Sequence, residues 1–117
     1  MKFAPFILVL ALALGFTAPD RASAADCGMP PMYTPTVPDG ATASSEEIRD
    51  AIREVQNYGT AVQRYLNCLQ LKQDEFFLNM STEQRERWNE DYNDLADKLT
   101  EIETRLNEEI RIFNRRG

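Results

Sequence analysis

Cys27, Cys68 and a crowd of carboxylates are the side chains of this 117-residue chain with chemistry to offer. A cysteine nucleophile needs a base beside it, and the chain has no His. That absence excludes His-based triads and proton relays, His-ligated haem and Cys/His zinc sites. Cys68 as a nucleophile would therefore stand alone, and pairing with Cys27 is its expected chemistry. The carboxylates of Glu86, Glu90, Asp94 and Asp97 fall on one side of a helical pattern and could gather a divalent cation. They lack the loop and glycine of a calcium hand, and the expectation is a solvated face. No catalytic residue, metal ligand or cofactor is expected, and the chain is not read as an enzyme.

Charge narrows the partners. Thirteen basic against nineteen acidic residues give a net charge of −6 and a pI near 4.6. Nucleic acid and a polybasic membrane contact both want the opposite sign.

The compartment follows from the N-terminus. Lys2 precedes an apolar run from Phe6 to Phe16, broken only by Gly15. Eleven helical residues rise about 16 Å, half the roughly 30 Å of a bilayer core. That length suits the apolar region of a signal peptide, and Ala22-Ser23-Ala24 supplies the small residues of a cleavage site. Residues 1–24 are expected to be removed, with Ala25 as the neighbouring alternative end. The loss of Lys2, Arg21 and Asp20 leaves a net charge of −7. Export places the protein in the periplasm or outside the cell, with no membrane contact after cleavage. There, an even cysteine count reads as a disulfide.

The elements that must position these groups begin with a composition shift. Pro30, Pro31, Pro35 and Pro38, then Asp39-Gly40, make residues 25–43 an extended, proline-rich segment. No proline occurs from Ser44 onward. Ser44 to Glu47 and Ser81 to Gln84 each form a capping box. They open helices expected over 45–78 and 82–114, within a helical unit of 44–117, and Asn79 suits a left-handed helix end.

Apolar spacing joins the helices. Ile48, Val55, Val62, Leu66 and Leu69 lie on one seam, and Tyr92, Leu95, Leu99, Ile102, Leu106 and Phe113 on another. A turn at Met80-Ser81 makes the helices antiparallel neighbours. Leu66 then falls opposite Leu95, Val62 opposite Leu99, and Gly59 opposite Ile102. The fold class is all-α: an antiparallel, coiled-coil-like two-helix hairpin. Gln73 against Trp88 and Ile52 against Glu109 are its imperfect layers.

A second stripe on the first helix, Tyr58, Ala61, Tyr65 and Cys68, needs a cover. The 17 residues from Cys27 to Ser44 reach about 53 Å as polyproline II. Cys68 lies about 36 Å up the helix. The segment can thus fold back as a strap, bond Cys27 to Cys68, and dock Met29, Met32, Tyr33 and Val37 on the stripe. An intermolecular bond in a dimer is the competing arrangement.

Pro35-Thr36-Val37-Pro38-Asp39-Gly40-Ala41-Thr42-Ala43-Ser44 and Tyr65-Leu66-Asn67-Cys68-Leu69 resemble the P-x-x-P-D-G-A-T-A-S segment and Y-L-x-C-L helix motif of small uncharacterised secreted proteobacterial proteins. This likeness implies a compartment and no activity. Met80-Ser81-Thr82-Glu83-Gln84 is similar to the L-T-x-x-Q motif of helical periplasmic stress chaperones, with Met and Ser for Leu and Thr, in one copy. The expected function is that of a non-catalytic, exported interaction or structural protein. Its long seams favour self-association into a homodimer, with a four-helix bundle as one form. The alternative is a periplasmic holdase-like chaperone or envelope-stress adaptor, with Tyr58, Ala61 and Tyr65 as an interaction surface. An open stripe would favour that alternative, and a covered one would remove its binding surface.

Overall fold

A computed structural model describes residues 27–116. The expected leader, 1–24, lies outside the described residues. Two long helices dominate: α1, Ser45–Phe76, and α2, Thr82–Arg115. There is no strand among the described residues. The protein is an all-α helical hairpin.

Both helices start where a side chain can satisfy backbone donors that the first turn leaves free. The Glu47 N–H donates to Ser44 Oγ at 3.0 Å, and the Ser44 N–H donates to Glu47 Oε1 at 2.8 Å. Ser81 and Gln84 repeat the exchange at 3.1 and 2.8 Å. The end of α1 differs from expectation. Its last turn tightens into a 3-10 helix, Phe77–Asn79, and Asn79 closes that turn instead of forming a left-handed cap. The Met80 N–H donates to Phe77 O, and Met80 then runs extended into the Ser81 cap. A tighter turn satisfies a free carbonyl without needing a positive φ.

Val55, Val62, Leu66 and Leu69 of α1 share one buried cluster with Leu99, Ile102 and Leu106 of α2. Tyr92, Leu95 and Trp88 pack against it while half-buried. Val62, fully enclosed, is its centre. Gly59 faces the stretch between Leu99 and Glu103, the level its seam position requires. Near the tip, Gln73 meets Asn89 by a side-chain hydrogen bond at 3.2 Å. A polar residue at a seam is stable when it finds such a partner at the edge.

Gly59 has room for a side chain. An added Cβ would lie 3.6 Å from Leu99 Cδ1 and 3.7 Å from Glu103 Oε2, ordinary van der Waals distances. The glycine therefore costs helix propensity without enabling a closer approach. Gly59→Ala should raise stability by about 1 kcal/mol, measured by urea unfolding. A loss of stability would show that the helices cannot accept a methyl group there.

The strap closes as a covalent loop. Cys27 and Cys68 are bonded, with Cα atoms 5.6 Å apart and a sequence separation of 41. Its docking residues depart from expectation. Met29, Met32 and Tyr33 are 81, 75 and 65 % exposed. Pro35 is buried instead, and Val37 packs half-buried on the core. An extended segment lying on a helix has one inward side, and Pro35 and Val37 occupy it. The larger side chains are left in water, where Tyr33 Oη reaches Glu54 Oε1 at 3.4 Å.

Candidate functional site

The lower end of the strap is clasped to α2, a contact the seam pattern did not reveal. Asp39 organises the turn: its carbonyl accepts from the Thr42 and Ala43 N–H groups, and its Oδ1 accepts from the Ala41 N–H. This is the side-chain-to-backbone turn that Asp favours. It presents the Gly40 N–H to Glu109 Oε1 at 2.7 Å. Arg116 Nη1 donates to the carbonyls of Gly40 and Ala43. The Arg116 guanidinium also lies 4.8 Å from the centre of the Phe113 ring. Glu109 is thus no defect opposite Ile52; it is the acceptor for a buried glycine amide. The available signal was the acid at a seam position, together with Asp39-Gly40 placed by the turn.

Above the clasp, the strap crosses the tyrosine stripe. Tyr58 is 5 % exposed and belongs to the core, while Ala61 and Tyr65 are half-buried. Tyr58 is therefore a floor beneath the strap and not an open surface. Burial pushes the Tyr58 hydroxyl above its ordinary pKa, and the Thr34 side chain opposes the shift without completing a well-formed hydrogen bond. Tyr65 is raised too, first by burial and then by the negative charge of Asp91.

Among the described residues the strap reaches up to the disulfide, and the apolar stripe continues past it. From there to the tip, one face of the hairpin holds an open trough. Its lower half, about 430 Å³, has Pro30, Tyr65, Leu69, Trp88 and Leu95 as floor and walls. Asp91, Asp94 and Lys98 form the rim. Trp88 and Asp91 are shared with an upper hollow of similar size, which ends at Phe76, Met80 and Arg87. The Trp88 indole N–H is buried and has no hydrogen-bond partner. Leu78, 90 % exposed, precedes Asn79 at the upper end in sequence, and Met29, 81 % exposed, precedes Pro30 at the lower. The opposite face is different in kind. Its depression around Gly59 is lined by Gln56, Thr60, Gln63, Asn67 and Glu103.

Comparison of the chain with protein-family models, with curated proteins and with solved structures gives no match.

The chemistry must be argued from these residues alone. Among the described residues no three or more Cys, Asp or Glu side chains gather as a metal-binding group. Glu86, Glu90, Asp94 and Asp97 are each exposed along α2. No helix of the described residues is long and apolar enough to cross a membrane. The trough offers apolar area and both signs of charge. That combination is suited to holding another surface.

Proposed function

We propose that this is a non-catalytic, exported interaction protein whose binding surface is the trough between the disulfide and the hairpin tip. The single observation that carries the reading is where the strap ends. Below Cys68, the stripe of α1 is covered and bolted; above it, the same apolar face continues with no cover from the described residues. A chain that covers part of a face and leaves Trp88 and Leu95 half-exposed beyond it has kept them for a partner. The disulfide supports residence in an oxidising compartment, the periplasm or the cell exterior, reached through cleavage of residues 1–24. The burial of Tyr58 beneath the strap supports this reading over a holdase-like chaperone that would meet clients on the stripe of Tyr58, Ala61 and Tyr65.

Site-directed photo-crosslinking in the native export compartment tests the reading. A crosslinker replacing Gln84, beside the trough, should give discrete adducts. The same group at Thr60, on the polar face, should give none. Equal labelling from both positions, or none from either, would overturn it.

A further inference from the structure

We infer that the partner at the trough is a second copy of this chain, packed antiparallel across a two-fold axis beside Trp88; this rests on the interaction-protein reading above.

The first argument is charge order. Gln84, Arg87, Asp91, Asp94 and Lys98 follow one another at steps of three and four along the trough side of α2, and all five line its two hollows. In a two-fold interface every contact occurs twice, with the roles of the copies exchanged. An axis level with Asn89 sets Arg87 opposite the partner's Asp91, and Asp91 opposite the partner's Arg87. The same axis sets Gln84 opposite the partner's Asp94. An axis midway between Asp91 and Asp94 would instead oppose acid to acid and Arg87 to the partner's Lys98. Charge therefore selects one register, and the sequence along this rim is complementary to its own reverse.

The second argument is what lies at the ends. Met80 at the tip and Lys98 at the lower end are equally far from Asn89 along α2. The half-turn consequently brings the tip of one copy over the lower end of the other. That movement carries Leu78, 90 % exposed, toward the partner's Met29, itself 81 % exposed. Two large apolar side chains with no cover within the monomer acquire one together. The half-buried Trp88 ring lies next to the axis, where the second copy would cover its remaining exposed face.

This arrangement overlaps the two tips and differs from a four-helix bundle along the full length. The strap occupies one side of each lower half, and the depression around Gly59 on the other side is polar. A lipid surface fits less well, because the rim alternates charge instead of offering a basic patch.

The test uses oxidised protein with its disulfide intact. Sedimentation equilibrium over a range of concentrations should show a monomer–dimer equilibrium. Fluorescence of Trp88, the one tryptophan in the sequence, should shift to the blue as dimer forms. Arg87→Asp places two acids face to face, twice, and should weaken dimerisation by at least about tenfold. Asp91→Arg should do the same with bases. The double swap restores both pairs and should return the dissociation constant to within a few fold of the original. Both substitutions are at exposed positions, and circular dichroism will show intact helices in all three variants. A monomer up to about 1 mM, a dimer indifferent to both single swaps, or a double swap that stays weak would overturn the second-copy assignment. If the Gln84 adducts then hold a different protein, the interaction reading survives and this inference fails. If no adduct forms, both fail.

Discussion

Replacing both Cys27 and Cys68 by Ser should destabilise the hairpin by about 4 kcal/mol, the chain-entropy value for opening a loop of this length. The bond spans 41 residues of sequence, so it removes many conformations from the unfolded chain. Above the clasp, it also confines a segment whose inward contacts are few, chiefly Pro35 and Val37. Without the bond, that small area must offset the ordering of some seventeen residues, at roughly 1 kcal/mol or more each. The upper strap should therefore detach while α1 and α2 keep their seam. Urea unfolding should show a lower midpoint, and chymotrypsin should cut after Tyr33 far faster than in the oxidised protein. The Tyr58 hydroxyl provides an independent readout. Its pKa is raised by burial, so its neutral form is favoured in the folded protein. The stability from that preference is full below the ordinary tyrosine value and is lost as pH climbs through the raised one. With the strap released, Tyr58 should ionise closer to its ordinary value. Unchanged stability and an unchanged Tyr58 titration in the double variant would mean that the bond decorates a strap held by other forces.

How much of this could be seen in the sequence depends on the range of each signal. The capping boxes at Ser44 and Ser81 are local, and each is complete within four residues. The seam from Ile48 to Leu106 is periodic, so many residues repeat one message. The disulfide followed from a count of two and a reach estimate. The strap's docking side was hidden, because an extended segment carries no strong period and every third or second residue would serve. Of the residues that size suggested, geometry kept Val37, left Met29, Met32 and Tyr33 in water, and added Pro35. The clasp was less legible still. It joins Gly40 to Glu109 and Arg116, 69 and 76 residues apart, and no pattern within either segment refers to the other. The trough's openness was equally obscure. Trp88 and Leu95 fit the seam, and the sequence does not say where the strap's cover ends relative to them.

Gly40→Val should undo the clasp and cost about 3 to 5 kcal/mol, nearly as much as losing the disulfide. Gly40 is buried against the backbone of α2. A Cβ there would penetrate the Glu109 carbonyl oxygen, with the carbonyl carbon at 2.9 Å and the Phe113 amide nitrogen at 3.1 Å. These are main-chain atoms of a hydrogen-bonded helix, so they cannot swing aside as a flexible side chain would. Overpacking of a rigid site costs about 1–3 kcal/mol. Lifting the turn to avoid the clash also removes the Gly40 N–H from Glu109 and the Gly40 and Ala43 carbonyls from Arg116. Hydrogen bonds to charged groups contribute about 1.5–3 kcal/mol each, and Glu109 would be left partly buried with its partner gone. Ala already carries the offending atom, so Gly40→Ala should show most of the effect. Glu109→Gln, which keeps an acceptor and removes the charge, should cost less than either. Glycine's backbone freedom is not the cause, since a positive φ is found at Gly28 and not at Gly40; the requirement is space alone. The two ends of the strap should also be coupled. In the Cys27→Ser/Cys68→Ser background the upper strap is already free, so closing the clasp orders more chain and gains less. Gly40→Val should then cost measurably less than it does with the disulfide intact. Equal costs in the two backgrounds would show that the clasp and the bond hold separate pieces of the protein, and that the strap does not act as one element.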